Sequence, residues 1–468
     1  MVLSRCGRGW LLKLIFTVRG RYMNVRLGMV ICVVVCRVLF MGLAFGDGNV
    51  PAKLTLQDAI SEALKNNTLI QEALEREKAA VWEEKSARAD LLPKVTLSYE
   101  YMHLKEDPYA IFNKMKVGVG PLNNYSWNAT ITQPIFTGFA LETKKKIAEL
   151  GIASKELDKE RAVLDVVKMT KLAYFRVLLA EKYLRVAAEQ EAQLKAHLDD
   201  AKAFYEQGLI PQNDLLKSEV AYARAQQEKV SAESSLAVAI SAFNTILRRP
   251  LNDKPKLEDV TVLPSVSYEL SALIDEAIAN RPEIKMLEIA LQQARLGEKL
   301  AQSGYYPKVY AFGRYMQQGE NIRATENDYQ NSYNASVGVQ VDWPIFESGK
   351  TRAESAKALH ERLAVAEKIK GVKDSIMLEV KDAFEKLNVA QKNITTAEAA
   401  LLQAKENYRI TNLQYQQQIT TSTEVLDAQT YLTQAQVNYY NALYGYYTAQ
   451  AELERAVGRK EWANAQKN

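Results

Sequence analysis

Short runs of alternating apolar and polar residues interrupt an otherwise helical pattern at four places along the chain. In residues 95–102 every second side chain is apolar, and residues 125–132 and 333–343 repeat that pattern. Alternation with a period of two predicts a β-strand with one apolar and one polar face. Residues 310–316 fit less well, because their aromatic side chains fall on both faces. The sequence therefore does not determine which face of that strand is the apolar one.

Between these runs the sequence is typical of long helices. Residues 137–204 and 347–414 are dominated by Ala, Leu, Glu, Gln and Lys, the composition of extended helix or coiled coil. At the usual rise per residue each run would span about 100 Å. Further helical runs, 214–248 and 424–457, follow after a polar turn. Each long helix is therefore expected to pair with shorter helices that run back beside it.

The same order of elements occurs twice. LTLQDAISEALKNN aligns with YELSALIDEAIANR, LLPKVTLSYEYM with YYPKVYAFGRYM, and QPIFTG with WPIFES. A period this long indicates a duplicated unit rather than a solenoid. We predict a first repeat over 54–248, a linker or equatorial segment over 249–267, a second repeat over 268–457, and a C-terminal tail over 458–468.

Each repeat is expected to open with one helix of about 35 residues, with Thr55 or Ser271 as the N-cap. Proline should then end the helix, because it lacks the backbone donor and disfavours helix in the residue before it. Prolines should also close each strand pair. Along the chain these positions are Pro93, Pro134, Pro307 and Pro344.

Positive charge is concentrated in residues 1–46, which carry seven Arg and Lys and no acidic residue. Removing those seven charges from the total of +4 leaves −3 for the remainder. The basic start, the apolar run and the triplet Ala44-Phe45-Gly46 predict a signal peptide over 1–46, with Met23 as an alternative start. An uncleaved membrane anchor is the alternative.

The positions of the cysteines are consistent with a secreted protein. All three cysteines, at positions 6, 32 and 36, lie in the predicted signal peptide, so a chain starting near Asp47 would have none. A protein without cysteine avoids unwanted disulfides in an oxidising compartment. It also has no thiol for catalysis or metal binding.

The two-faced strands suit a transmembrane barrel with an apolar outside and a polar inside. Strands of about ten residues cross a bilayer when they are tilted. The alternative is a soluble sheet packed on a core. Four strands cannot close a barrel, and an open edge in lipid would leave backbone groups unpaired. A membrane location therefore requires oligomerisation, and three chains would supply twelve strands.

The duplication, the prolines flanking the strand pairs and the two polar turns together resemble the TolC-like outer-membrane efflux family, the outer membrane factors, over about residues 54–457. The resemblance implies a mainly α fold with a small β part. Each chain would have a duplicated unit of long antiparallel coiled-coil helices plus four transmembrane β-strands, assembling as a trimeric α/β-barrel channel. No cofactor is implied.

The same resemblance implies a homotrimer in the outer membrane, in contact with its lipid and with most of the chain in the periplasm. The channel would conduct small molecules or proteins to the exterior. It would receive them from a periplasmic adaptor (membrane fusion) protein and an inner-membrane pump, and its gate would lie at the periplasmic helix tips.

The family's tips correspond to YEQGLIPQNDLL (205–216) and YQQQITTSTEVL (415–426). The family pattern of Tyr, Gly and Asp matches Tyr205, Gly208 and Asp214 in the first turn, whereas the second turn has Gln in place of Gly. By resemblance, the adaptor would contact Gly208, Leu209, Ile210, Gln418, Ile419, Thr420 and Thr421.

The resemblance also assigns a gate. Tyr415 and Asp214 match a gating tyrosine and its carboxylate partner, and Glu424 and Asp427 match two acidic rings that would favour cations. Thr420 stands where the family has an arginine that helps to hold the gate, so we expect a different link. From the residues alone, Asp214 and Glu424 could instead be helix N-caps, and Tyr415 could be a packing residue.

An enzyme is not expected. His103, His197 and His360 are scattered without metal-ligand spacing, and no glycine-rich phosphate loop is present. Mixed charges follow helix faces rather than one basic patch, so no nucleic-acid partner is expected. The remaining alternative is a non-conducting periplasmic coiled-coil structural or adaptor protein, which would have no use for strands with a polar face.

Overall fold

The computed structural model describes residues 53–260 and 268–460. The chain divides into two compact units, Met1–Lys53 and Leu54–Asn468, and all the elements given below belong to the second unit. The predicted signal peptide and its alternative start lie outside the described residues, as do the end of the predicted linker and most of the predicted tail.

The first repeat opens with two helices, α1 (Leu56–Asn66) and α2 (Thr68–Ala89). Thr55 caps α1 as predicted, through a capping box with the backbone N–H and side chain of Asp58. The prediction of a single helix is wrong because Asn67 ends α1 with an extended backbone and caps α2 with its own side chain. An asparagine that can cap a helix therefore divides what looked like one continuous run.

Four strands follow, namely β1 (Lys94–His103), β2 (Tyr109–Phe112), β3 (Met115–Gly118) and β4 (Asn123–Phe136). β1 and β4 form the predicted pair. The prediction that Pro134 closes the pair is wrong, because Pro134 lies inside β4. A register shift between Pro134 and Phe136 accommodates it, and a bulge of this kind tolerates a residue without an N–H. The β2–β3 hairpin was not predicted.

Two long helices complete the first repeat, α3 (Ala140–Glu206) and α4 (Gln212–Leu247). The second repeat consists of α5 (Leu270–Asn280), α6 (Pro282–Gln302), β5 (Lys308–Gly319), β6 (Tyr333–Asp342), α7 (Lys350–Gln416) and α8 (Ser422–Val457). Glu269, not Ser271, is the N-cap residue of α5, so the prediction for Ser271 is wrong: its hydroxyl lies in the first turn and donates to Glu269. Pro282 separates α5 from α6 because proline suits the first position of a helix.

Strands β1, β4, β5 and β6 form one open antiparallel sheet in that order, so the two repeats are joined through β4 and β5. Residues paired directly across neighbouring strands lie on the same face of the sheet. Leu97 pairs with Ala129, and Gly313 pairs with Ile131 on one side and with Val337 on the other. This face is therefore mostly apolar across all four strands, with Gln133 and Gln317 as polar members. It is open to its surroundings, with Val337 91% exposed. The predicted alternation is confirmed.

The register also determines the facing of β5. Tyr315 lies on the apolar face, opposite Ala129 and Ala335. Phe312 lies on the polar face and covers Gly338 of β6, where an added Cβ would be 2.7 Å from its ring. The aromatic side chain on the polar face is therefore paired with a glycine, a relationship that only the register reveals.

The long helices pair within each repeat, α3 with α4 and α7 with α8, while α2 and α6 pack alongside them. A core containing Tyr174, Phe243 and Tyr444 lies where α1 and α5 meet the long helices. The Tyr174 hydroxyl donates to the Leu54 carbonyl at 2.9 Å and the Glu258 carbonyl at 2.6 Å, and burial raises its pKa to about 12. The described part of the linker is therefore fixed to α3.

Candidate functional site

The two predicted tip turns adopt the same backbone conformation. Gly208 and Gln418 take left-handed φ values of 73° and 61°. In both turns the next residue, Leu209 or Ile419, donates its N–H to the carbonyl five residues earlier at 2.8 Å. This is the Schellman arrangement that often ends a helix. Gln418 therefore takes a conformation that glycine adopts more easily, and the turn keeps its shape.

The tip turns present apolar side chains that the described part of the chain does not cover. Leu209 is 48% exposed and Ile419 is 68% exposed. The other residues predicted to contact an adaptor vary in exposure: Gly208, Gln418 and Thr421 are exposed, and Ile210 and Thr420 are half-buried. Exposed apolar groups at the end of a helix pair are available to a partner.

Pro211 and Thr421 are the N-cap residues of the two helices that follow the turns, α4 and α8. The Thr421 hydroxyl accepts from the Glu424 backbone N–H at 3.4 Å. The alternative in which Asp214 and Glu424 are the caps is therefore wrong. Both carboxylates lie in the first turn, where the helix dipole favours negative charge.

Glu424 and Asp427 are both exposed on α8. Residues three apart on a helix lie on the same face. The structure thus brings the two predicted acidic positions together on one side of one helix tip.

Lys217 links the two repeats at the tips. Its Nζ lies 3.5 Å from an Asp214 carboxylate oxygen and donates to the Thr423 hydroxyl at 3.2 Å. Asp214 is mostly covered, with 19% of its side chain exposed. A charged side chain therefore joins α4 to α8, whereas the resemblance led us to expect the family's arginine position at Thr420. Sequence reasoning missed Lys217, whose only identifying feature is its spacing from Asp214.

Tyr415 is buried, with 2% of its surface exposed. Its ring centroid lies 4.7 Å from that of His197 and 5.5 Å from that of Phe204. Among the described residues its hydroxyl makes no hydrogen bond of ordinary geometry, so it does not bond to Asp214 in this structure. Burial raises the pKa of Tyr415, and the Asp200 and Asp214 charges add to that effect. Here Tyr415 packs between helices, as the alternative for this residue expected.

A buried polar cluster, which we call the tip cluster, consists of His197, Ser218 and Ser422. His197 Nε2 lies 2.8 Å from the Ser422 hydroxyl, which lies 3.1 Å from the Ser218 hydroxyl. Ser218 also donates to the Asp214 carbonyl at 3.0 Å. The tip cluster therefore joins α3, α4 and α8. A lone histidine and two serines within helices carry no spacing that sequence reasoning could have used.

A groove of about 630 Å³ lies beside the tip cluster, between α4 and α8. Its lining includes Leu216 and Val220 on α4 and Leu426 on α8. Val220 is 69% exposed. The groove therefore continues the exposed apolar surface of the tips along the helices.

Lowering the pH should weaken the packing of the helix tips, because it favours protonation of His197. Burial lowers its pKa, and the nearby Asp200 charge opposes that shift without cancelling it. When the pKa of a basic group is lower in the folded protein than in the unfolded chain, the protein becomes less stable as pH falls through the unfolded pKa, about 6.5 for histidine. The reason is that the unfolded chain binds the proton first. The groups facing the ring are Asp200, Tyr415 and Ser422.

The thermal midpoint should therefore fall more for the natural chain than for His197→Leu when pH is lowered from about 7.5 to about 5. His360→Leu is the matched control, because His360 is exposed on α7, and it should keep the natural pH dependence. Equal falls in the natural chain and His197→Leu would show that another group causes the loss.

Comparison with known proteins identifies the family. The family model described as outer membrane efflux protein matches residues 59–247 and 273–459, one stretch in each repeat. The chain belongs to the outer membrane efflux protein family. Membership confirms that the chain is in the outer membrane with most of its length in the periplasm.

Two relatives in this family illustrate the similarity. The alkaline protease secretion protein AprF of Pseudomonas aeruginosa is 25% identical over 312 residues, which cover 66% of this chain and 64% of AprF. The chain thus spans just under two thirds of the length of that relative. The outer membrane protein TolC of Vibrio cholerae is 23% identical over 410 residues, 86% of this chain and 90% of TolC.

Solved structures of outer-membrane channels share the fold. The Campylobacter jejuni channel CmeC matches with a TM-score of 0.74 at 17% identity, covering 91% of this chain and 93% of CmeC. The open state of the Neisseria gonorrhoeae channel MtrE matches with a TM-score of 0.69 at 19% identity, covering 87% and 89%. The predicted fold class, a duplicated and mainly helical unit with a small sheet, is confirmed.

Proposed function

We propose that three copies of this chain form a channel through the outer membrane that continues as a helical conduit into the periplasm. The observation that carries the proposal is the open sheet. Among the described residues β1 and β6 have no partner on their outer edges, and the apolar face is exposed. Open edges in lipid leave backbone groups unpaired at several kcal/mol each. Pairing β1 with β6 of the next copy removes them, and three four-stranded sheets supply twelve strands.

Aromatic side chains lie at both ends of the sheet. At the end far from the helices, Tyr101 stacks on Tyr125 with ring centroids 4.6 Å apart. At the helix end, the Phe136 ring meets Phe139 edge to face at 5.2 Å, and Phe346 is 85% exposed. Two aromatic belts separated by an apolar band are typical of transmembrane barrels.

The surface of α4 supports contact between copies. This helix is long and apolar enough to cross a membrane by length and composition, yet only 22% of its most apolar window is buried. Val230 and Val238 are 64% and 62% exposed. Because α4 belongs to the periplasmic helices, a neighbouring copy is the natural cover for these valines.

The gate would lie at the helix tips. Three copies of Glu424 and Asp427 around one axis would form two carboxylate rings that favour cations and narrow the mouth. The Lys217 contacts and the tip cluster would hold the two repeats together in the closed state. Each polar contact contributes on the order of 1 kcal/mol, so opening can exchange several of them for contacts with a partner.

The partner at the tips would be a periplasmic adaptor that connects the channel to an inner-membrane pump. Leu209 and Ile419 supply exposed apolar contacts, and the groove between α4 and α8 extends them. Small molecules or proteins would pass from the pump to the exterior without a cofactor in this chain.

Conductance in planar bilayers tests the proposal. The natural trimer should show a small cation-selective conductance, because the acidic rings narrow the mouth. Replacing Glu424 and Asp427 together by Ala should raise the conductance and weaken the selectivity. The matched control is Asp382→Ala with Glu385→Ala, two exposed carboxylates at the same spacing on α7, which should leave both properties unchanged.

Two results would overturn the proposal. One is the absence of conductance in every form although the protein is folded and trimeric, which would favour a non-conducting structural protein. The other is a stable monomer in detergent with the sheet intact, which would show that the edges of β1 and β6 need no partner.

A further inference from the structure

The β2–β3 hairpin has one face that is entirely apolar. Its turn is Asn113-Lys114, with left-handed φ values of 50° and 67°, as in the tight turns that suit hairpins. The pairing of Phe112 with Met115, and of Ala110 with Val117, places these four residues on one face. Phe112 is 74% exposed, Met115 66% and Val117 49%. Residues 53–260 and 268–460 therefore leave this apolar face uncovered.

The hairpin is also basic. Residues 109–118 contain Lys114 and Lys116 and no acidic residue. The opposite face carries Lys116 together with Ile111, which is 70% exposed, and the Lys116 ammonium lies 4.2 Å from the centre of the Tyr109 ring. The corresponding segment of the second repeat, 320–332, contains three acidic residues and one arginine. An apolar face beside lysines is the pattern of elements that bind the surface of an anionic membrane.

The position of the hairpin fits that partner. It continues the β1–β4 ladder beyond the aromatic end of the sheet, where the Leu104 N–H donates to the Leu122 carbonyl at 2.8 Å. It also lies beside segment 320–332, since a Cβ added at Gly118 would be 3.7 Å from the Tyr329 ring.

Segment 320–332 in turn contacts the apolar face of the sheet. The Tyr99 hydroxyl, on that face, donates to the Ile322 carbonyl at 2.8 Å. The hairpin is therefore next to a segment whose Ile322 end lies against the lipid-facing side of the sheet.

We propose that the apolar face of the β2–β3 hairpin enters the outer leaflet, with Lys114 and Lys116 binding anionic lipid headgroups. This inference rests on the barrel insertion in the proposed function. Burying the face in lipid removes apolar surface from water, and the lysines give a preference for negatively charged lipid.

A single-cysteine experiment tests the inference, because the chain has cysteine only at positions 6, 32 and 36. In a background lacking those three, Met115→Cys carries an environment-sensitive fluorophore. The trimer is placed in phosphatidylcholine vesicles with and without phosphatidylglycerol, and phosphatidylcholine bearing a nitroxide is added as quencher. We expect a blue-shifted emission and loss of most fluorescence in the vesicles with phosphatidylglycerol. Lys114→Gln with Lys116→Gln should reduce that loss to the level seen in neutral vesicles.

Two further positions separate this inference from the proposed function. Val337→Cys, on the apolar face of β6, should be quenched whenever the barrel is inserted, whereas Asn331→Cys, exposed on the neighbouring segment, should not. Quenching at position 337 without quenching at position 115 overturns the hairpin inference and leaves the barrel standing. Disulfides between copies at position 115, without quenching, would assign the face to a second chain. No quenching at position 337 would overturn the barrel itself.

Discussion

Arg455→Ala should destabilise the protein by about 3 kcal/mol, because it removes two hydrogen bonds between charged groups, each contributing about 1.5–3 kcal/mol. Arg455 is 8% exposed. Its Nε lies 2.6 Å from an Asp165 carboxylate oxygen, and a second nitrogen lies 2.7 Å from Glu283. Arg281 also binds Glu283, at 3.0 Å. The network joins α3, α6 and α8, so its loss weakens the contact between the two repeats.

The ionisation of Glu283 shows how strongly this network acts. Burial opposes its charge, but Arg281 and Arg455 outweigh burial and lower its pKa to about 2. A carboxyl group with a lowered folded pKa stabilises the fold above its unfolded value of 4.5 and loses that contribution as pH falls towards about 2. Without Arg455, part of this stabilisation should already be missing at neutral pH.

The measurement is the thermal unfolding midpoint of the detergent-solubilised protein at neutral pH. Arg409→Ala is the control, since Arg409 pairs with Glu406 on the surface of α7, with 60% and 52% of the two side chains exposed. Exposed pairs of this kind contribute little, so the control should stay near the natural midpoint. Equal midpoints for the two variants would contradict the assignment of Arg455 to the joint between repeats.

The elements with a strong period were predictable from sequence. The long helices α3 and α7 lie close to their predicted bounds, and the two tip turns share one backbone even though Gln418 replaces glycine. The errors fall where a local choice overrides the period. Asn67 fits a helix interior by pattern but also caps the next helix. Phe312 violates the alternation of β5 until its partner, Gly338, is known from the register.

The site was predictable only at the level of segments. The resemblance identified the two turns, and the structure gives them the same shape. The contacts that join the repeats there come from residues far apart in sequence, His197 with Ser422 and Lys217 with Thr423. Their pairing depends on how α3, α4 and α8 lie beside one another, and no spacing within a single helix encodes that arrangement.

Gly138→Ala should either prevent correct folding or lower the thermal midpoint much more than a Gly→Ala change at the start of another helix. Gly138 precedes α3 with φ 63°. A Cβ there would lie 2.6 Å from the Ser303 carbonyl oxygen and 2.9 Å from the Tyr306 Cβ. The left-handed conformation alone costs alanine about 1–2 kcal/mol. The contact with Ser303 adds to this, because a backbone oxygen cannot turn aside as a side chain can.

The second repeat provides the matched control. Gly349 also precedes a long helix, α7, with φ 82°, but apart from its chain neighbours no atom of the described residues lies within 4 Å of an added Cβ. Gly349→Ala therefore carries only the cost of the left-handed conformation. The aligned counterpart of Gly138 is Ser348, which adopts φ 49° with a side chain, so the backbone conformation by itself does not require glycine.

Comparing the two variants isolates the contact between repeats. The thermal midpoint should be nearly natural for Gly349→Ala and strongly reduced for Gly138→Ala. Similar behaviour of both would mean that the end of α6 can move away from the start of α3. In that case the joint between the repeats would depend on the Arg455 network rather than on this close backbone approach, and Arg455→Ala would remain the more damaging change.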